Sequence, residues 1–371
     1  MVCCGLDETI AKACGLDAAT QRYAIPKWNR YEPLRIYYLP VAVYHWSMAS
    51  VQCELCPKGC IIGPGQSGQC RVRVNVDGVL RTVVYGYPCT INIDPMEKKP
   101  LFHFLPGTPV LSLATVGCNL HCKNCQNWEI SQANPEDSQA VACPPAKVVA
   151  LTKQYNCASI AYTYTEPIVY YEYTCDTARL ARQAGIRNAL VTAGYVNEPP
   201  WRELLQYVDA ARVDLKSMSD AFYRDVCSAT LKPVQNALVV AKSMGVHVEV
   251  VNLVIPTLND KPEQIRELVQ WVRVNLGAET PLHFSGFTPM YRMQHLPPTS
   301  PGSLESARNI ALAEGLKHVY IGNRRSEKGQ NTYCPGCNAL LIERVGYTIV
   351  QNRMAAGRCP DCGREIYGVW K

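Results

Sequence analysis

Between residues 110 and 323, seven short apolar runs alternate with six amphipathic stretches, and this alternation restricts the chain more than any other feature. The runs at 110–114, 159–164, 187–192, 211–215, 247–255, 281–287 and 317–321 read as strands. The stretches at 145–155, 168–184, 200–208, 231–244, 263–276 and 301–314 read as helices. A strand, a crossover helix and a further strand make a parallel pair, and repeated units of this kind bury a sheet beneath helices. Six to seven such units fall one or two short of a closed eightfold barrel. The expected fold is therefore α/β, a partial, TIM-like (β/α)6 barrel with its functional site at the C-terminal ends of the strands.

Three further segments flank this core. Residues 1–50 carry no motif and form an unassigned N-terminal extension. Residues 51–100 are a Cys- and Gly-rich preface, in which Gly59, Gly63, Gly65 and Gly68 allow turns tight enough to wrap a metal. The barrel is expected over 101–325. Residues 326–371 form a small unit with two Cys pairs and too little apolar content for a core of its own, which suggests a metal staple.

Charge adds little. Lys and Arg number 37 against 31 Asp and Glu, and the net +6 is spread along the chain, so no nucleic-acid partner is expected. The apolar run at 36–50 is broken by Pro40, His45 and Ser47 and is too short to span a bilayer. The first residues lack the basic start and apolar core of a secretory signal, so the expected location is cytoplasmic, away from membranes.

Cysteine usage is high, at 19 of 371 residues, and eleven of the 19 fall into three tight groups. Such short spacings strain disulfides but suit chelation, which points to metal thiolates in a reducing compartment. Cys53, Cys56, Cys60 and Cys70 make a closed four-thiolate set, read first as a structural zinc site with an iron–sulfur cluster as the alternative. Cys334, Cys337, Cys359 and Cys362 have the C-x2-C-x21-C-x2-C spacing of a zinc ribbon. Structural Zn2+ leads there, and a rubredoxin-like single iron is the alternative.

The central group, Cys118, Cys122 and Cys125, follows directly on the first barrel strand. Three thiolates on one short loop can hold three corners of a cubane and leave the fourth iron open. The plainer reading is a zinc knuckle with a fourth ligand from His103, His121 or a distant cysteine. Later strand ends carry Glu166, then Thr192 and Gly194, then Asp214 and Lys216, then Asn252. Taken singly, Glu166 suits any helix N-terminus, and an Asp-x-Lys pair is common on surfaces. The tyrosines Tyr162, Tyr164, Tyr170, Tyr171 and Tyr173 pack helix against strand or line a pocket. Cys3, Cys4, Cys14, Cys89, Cys143, Cys157, Cys175 and Cys227 read mainly as small core hydrophobes.

C-x3-C-x2-C after the first strand of a (β/α) core resembles the radical S-adenosylmethionine (SAM) superfamily. That resemblance implies a [4Fe-4S] cluster on Cys118, Cys122 and Cys125, reductive cleavage of SAM to a 5'-deoxyadenosyl radical, and hydrogen abstraction from a substrate. It further implies that Glu166 receives the methionine ammonium and that Thr192, Gly194, Asp214, Lys216 and Asn252 lie at the cofactor. An electron donor such as ferredoxin or flavodoxin and oxygen sensitivity follow, and Cys227 becomes a candidate for a thiol near the substrate.

More narrowly, residues 125–132 (CQNWEISQ), 97–104 (EKKPLFHF) and 319–323 (VYIGN) resemble the radical SAM member of the AmmeMemoRadiSam system. Its substrate, small molecule or protein, is not named by the resemblance. Two other readings stay open: a glycyl-radical enzyme activase acting on a partner protein, and a non-catalytic iron–sulfur or zinc protein for electron transfer or interaction. The chain departs from the superfamily pattern at Asn124, commonly aromatic and packed on adenine, and at Gly286, often a larger polar residue.

Overall fold

The computed structural model describes residues 49–371. The extension read at 1–50, with Cys3, Cys4 and Cys14, lies outside the described residues apart from its last two positions. Two antiparallel hairpins open the described chain: β1 (Val51–Gln52) with β2 (Ile61–Ile62), and β3 (Arg73–Val76) with β4 (Val79–Thr82).

The core is an eight-stranded sheet made of β5 (Thr90–Pro95), β6 (Pro109–Ala114), β7 (Ser159–Tyr162), β8 (Arg187–Thr192), β9 (Ala210–Asp214), β10 (His247–Val254), β11 (Leu282–Gly286) and β12 (Val319–Gly322). Its order is linear, β12-β11-β10-β9-β8-β7-β6-β5, so the barrel is open. The seven strands from β6 onward are parallel and match the seven apolar runs, with ends shifted by at most two residues. β7 is buried along its whole length, as a strand covered on both faces must be.

Sequence reading did not foresee β5, which pairs antiparallel with β6 from Thr90↔Ala114 to Pro95↔Pro109. Its six residues alternate Ile with Asn and Asp, and the strand ends in a proline, the marks of an edge strand. It lies within the residues read as preface.

Helices Pro145–Gln154, Tyr171–Gln183, Glu198–Leu205, Leu231–Ser243, Pro262–Leu276 and Pro301–Ala313 supply the crossovers. Four of them begin with a proline at the first or second position, where its fixed φ suits the helix and its missing N–H costs nothing. In Pro262–Leu276 the buried residues Ile265, Leu268, Val269, Val272 and Leu276 recur at helical spacing and form the face laid on the sheet. Each such side chain contributes about 2 kcal/mol by leaving water.

The C-terminal residues form a separate three-stranded antiparallel sheet of β13 (Thr332–Tyr333), β14 (Leu340–Val345) and β15 (Thr348–Asn352). Its core is small: Cys334, Leu341, Ile342, Cys359 and Ile366. This unit closes the N-terminal end of the barrel. Leu105 N donates to Val369 O at 2.7 Å, Val369 N donates to His103 O at 2.7 Å, and Arg344 Nη2 donates to Phe102 O at 2.9 Å.

Beneath that cover, the fully buried Glu249 accepts from His103 N at 2.7 Å, Phe102 N at 3.1 Å, His283 Nε2 at 2.7 Å and His247 Nε2 at 3.0 Å. Burial would raise its carboxyl, but the imidazole partners hold it well below the usual carboxylate range. The 97–104 motif therefore builds the barrel floor. Within it, Lys99 reaches Asp94 of β5 at 2.6 Å; burial draws this lysine down to about 8 against the pull of Asp94. No helix among the described residues is long and apolar enough to cross a membrane.

Candidate active site

β6 ends at Ala114, and four residues later the chain reaches Cys118 at the C-terminal mouth of the barrel. The loop 118–125 is fixed from three sides. Against the π-helical turn Tyr223–Cys227, His121 N donates to Cys227 O at 3.1 Å and Lys123 N to Val226 O at 2.9 Å. From below, Asn119 Nδ2 donates to Tyr195 O at 2.8 Å. The third support comes from the segment that follows the loop. Gln132 Nε2 donates to Leu120 O at 3.1 Å, Asn127 Nδ2 donates to Tyr164 O at 2.7 Å, and Ser131 Oγ lies 3.3 Å from Cys125 Sγ. The CQNWEISQ segment thus buttresses the thiol loop with its own side chains.

Burial pushes the Cys118 thiol well above its ordinary range, and Cys125 upward as well. Cys122 moves the other way, to about 7, because the Cys227 thiol hydrogen-bonds to it and the Lys216 ammonium lies near. Cys227 is therefore beside the loop, carried there by a π-turn, a feature that often marks functional sites.

Glu166 is 1% exposed and fully engaged. Its carboxylate accepts from Thr192 Oγ1 at 2.6 Å, Ala193 N at 2.8 Å and Ile168 N at 3.3 Å. Burial raises it to about 7 despite these donors. Gly194 N donates to Thr192 Oγ1 at 2.9 Å, so Glu166, Thr192 and Gly194 form one unit across the ends of β7 and β8. Next to it, Asp214 at the end of β9 pairs with Lys216 at 2.9 Å and also with Arg212. Burial opposes the charge on Asp214, but Arg212 and Lys216 hold it below its usual value. Burial likewise opposes the charge on Lys216, which Asp214 and the Cys122 sulfur hold well above the ordinary lysine value.

Asn252 acts on this pair through the backbone: its Nδ2 donates to Leu215 O at 2.8 Å and Lys216 O at 3.1 Å. Asn259 and Tyr223, which sequence reading did not single out, join it. Asn259 Nδ2 donates to Lys216 O at 2.7 Å, and Lys216 N donates to Tyr223 OH at 3.1 Å. The residues Cys118, Cys122, Cys125, Glu166, Thr192, Gly194, Asp214, Lys216 and Asn252 are thus brought to one end of the sheet.

Of the two histidines offered as a fourth zinc ligand, His103 is engaged through both ring nitrogens and His121 through Nδ1 alone. His121 Nδ1 is 2.8 Å from Gln132 Oε1. His103 is on the opposite face of the barrel, with Nδ1 2.5 Å from Tyr367 O and Nε2 2.6 Å from Tyr320 OH. The donor set fits a cluster: three soft thiols on one short loop, with no three of their sulfurs within 4.8 Å of one another.

At Gly286 the space that a side chain would fill is taken by Arg324, whose Cγ would lie 2.8 Å from a Cβ there. The Arg324 guanidinium donates to Phe287 O at 2.7 Å and Thr299 O at 3.2 Å. Its position follows β12 and gave no signal in sequence. Tyr162, Tyr170 and Tyr173 are core residues, with Tyr162 OH donating to Asn188 Oδ1 at 3.1 Å.

The C-terminal cysteines lie far from this mouth, in the unit at the barrel floor. Their four sulfurs are all within 4.8 Å of one another, with Cys334 and Cys362 3.5 Å apart and Cys337 and Cys359 3.6 Å apart. A tetrahedral ion with metal–sulfur bonds of about 2.3 Å holds its sulfurs roughly 3.8 Å apart, so this set fits one ion. Cys53, Cys56, Cys60 and Cys70 gather around a pocket next to the Cys118 loop.

Comparison with known proteins bears on the same region. The family model described as the radical SAM superfamily matches residues 112–272. An uncharacterized protein of Methanocaldococcus jannaschii is 48% identical over 318 residues, spanning 85% of this chain and 95% of that protein. The pyruvate formate-lyase-activating enzyme of Clostridium pasteurianum is 24% identical over 162 residues, spanning 42% of this chain and 66% of that enzyme. Among solved structures, a radical SAM methyltransferase from Sphaerobacter thermophilus has a TM-score of 0.47 at 18% identity, over 60% of this chain and 68% of that one.

Proposed function

The chain belongs to the radical SAM superfamily, and from that premise we propose that it cleaves SAM reductively at a [4Fe-4S] cluster held by Cys118, Cys122 and Cys125 and takes a hydrogen atom from a substrate C–H bond. Such a cluster, when bound, supplies the one electron that breaks the sulfonium C–S bond of SAM. The protein's own residues do the rest. Glu166, fixed by Thr192 Oγ1 and Ala193 N, receives the methionine ammonium. The Asp214–Lys216 pair, tied down by Asn252, borders both cofactor and substrate. The mouth segments shield the site from water.

The observation that carries this reading is the convergence of an open three-thiol loop with a buried, donor-fixed carboxylate at one end of a parallel sheet. Anaerobically reconstituted protein, reduced with dithionite in the presence of SAM, is expected to release 5'-deoxyadenosine. The Cys118→Ala, Cys122→Ala, Cys125→Ala triple variant is expected to release none. Product from the triple variant, or none from wild-type protein with a full complement of iron, overturns the proposal.

A second reading is favoured by the likeness to activating enzymes: the substrate is a backbone glycine of a partner protein. Incubation with a deuterated candidate glycyl-radical enzyme separates the two, since only an activase transfers that deuterium to 5'-deoxyadenosine. Ferredoxin or flavodoxin is proposed as the electron donor, Zn2+ as the ion of the Cys334 group, and the reducing cytoplasm as the location. Within the superfamily, the motifs at 97–104, 125–132 and 319–323 align the chain with the AmmeMemoRadiSam member.

A further inference from the structure

We propose that Cys53, Cys56, Cys60 and Cys70 hold an iron–sulfur cluster of their own, back to back with the Cys118 loop, in place of the structural zinc that their spacing first suggests. The four thiols line one pocket, with Arg73 and Asn119 in its wall.

Sulfur spacing separates this group from the C-terminal one. Four tetrahedral sulfurs around one zinc stand roughly 3.8 Å apart, and the Cys334 group has that arrangement. In the preface group no three sulfurs come within 4.8 Å of one another. A single ion cannot be reached by the set in this form, whereas a cubane binds each thiolate to a different iron and spreads the four apart. In the Cys118 group, where the family calls for a cluster, no three sulfurs come within 4.8 Å of one another either.

Charge and burial suit a thiolate-bound centre here. Cys53 and Cys70 are 7% and 8% exposed, and a buried cluster with four thiolates is a net anion that needs compensation. Arg73 provides it. This residue is 8% exposed, its Nη1 pairs with Glu172 at 2.8 Å, and its Nε, in the same wall, has no hydrogen-bond partner. An unpartnered buried N–H of a guanidinium is costly, and sulfide or thiolate acceptors beside it remove that cost. Asn119, the residue after Cys118, lines the pocket and hydrogen-bonds through Nδ2 to Tyr195 O, so the wall between the two thiol groups is one loop thick.

The test uses the full-length Cys118→Ala, Cys122→Ala, Cys125→Ala variant, reconstituted anaerobically with iron and sulfide. The expected result is about four iron and four sulfide per chain, with a reducible charge-transfer spectrum, and loss of that iron when Cys56→Ala and Cys60→Ala are added. Should the added substitutions unfold the chain, Mössbauer quantitation of wild-type protein decides: about eight irons in two clusters support the proposal, and about four overturn it. Two zinc ions and no iron in the triple variant also overturn it. Formation of 5'-deoxyadenosine reports on the Cys118 site alone, so this inference and the proposed function fail separately.

Discussion

The carbonyl oxygen of Cys70 lies so close to Gly117 that a Cβ on Gly117 would stand 2.6 Å from it. Gly117 also has φ +95°, which side-chain-bearing residues rarely adopt. The residue before the first loop cysteine is therefore pressed against the backbone of the last preface cysteine. The two groups of thiols meet at that contact.

Gly117→Ala tests that contact. The obstacle is backbone, with Val72 Cγ1 a further 2.7 Å neighbour, so relaxation cannot come from a side-chain rotamer alone. Strain and overpacking together are expected to cost about 2–4 kcal/mol, measured by urea unfolding, and to reduce iron retention at both cysteine groups. Wild-type stability with a full iron complement would show that the contact is not tight.

Glu166 gives a pH dependence. Its carboxyl is raised to about 7, so the folded protein without SAM binds that proton more tightly than the unfolded chain does. Between the unfolded value near 4.3 and about 7, this group makes stability fall as pH rises. An ammonium partner has the opposite preference and requires the carboxylate. SAM is thus expected to bind about tenfold more weakly at pH 6 than at pH 8 by anaerobic calorimetry, and Glu166→Gln is expected to flatten the profile at weak affinity.

Glu249→Ala removes one acceptor from four donors at once, two of them the backbone N–H groups of Phe102 and His103. The expected loss is about 3–5 kcal/mol. Because the wild-type carboxyl is held far below its ordinary value, the contribution is present at all pH values above the unfolded carboxylate range and disappears only in strong acid. Thermal melts from pH 5.5 to 8 should show a constant offset between variant and wild type. Metal content should be unchanged, since this network lies at the barrel floor.

Removing the ion from the C-terminal unit, by chelation or by Cys337→Ser, leaves a core in which two of the five buried residues are former ligands. Local stability over residues 332–352 is expected to fall by about 2 kcal/mol or more. Hydrogen exchange there should accelerate roughly thirtyfold, while exchange in β7 and β8 stays as it was. Unchanged exchange after verified metal loss would assign the unit's stability to Arg344 and its docking contacts instead.

The parallel strands were legible because burial on both faces leaves each with a short, mostly apolar run, such as Ile160, Ala161 and Tyr162 in β7. The edge strand β5 was not, since its Asn92 and Asp94 break the apolar pattern and find their partners outside the strand, in Tyr164 and Lys99. At the site, the thiol spacing and Glu166 were legible from short motifs. Asn259, Tyr223 and Arg324 were not, because each acts by hydrogen bonding to a backbone that only folding brings near. The 97–104 segment could be recognised as a motif, yet its role in the floor depends on Glu249 and Arg344, which no local pattern links to it.

The floor contact has a consequence for synthesis. His103 meets Tyr367 across 264 residues. At 5–20 residues per second, the ribosome needs roughly 13 to 53 s to deliver the second partner after the first. In the later part of that interval, once Glu249 has been made, the strand ends around it lack their cover, and the nascent chain presents a polar, half-built base to whatever chaperone attends it. The mouth, by contrast, draws its thiol loop, carboxylate and Asp-Lys pair from earlier parts of the chain, so the catalytic end is assembled on a barrel whose opposite end is still unfinished.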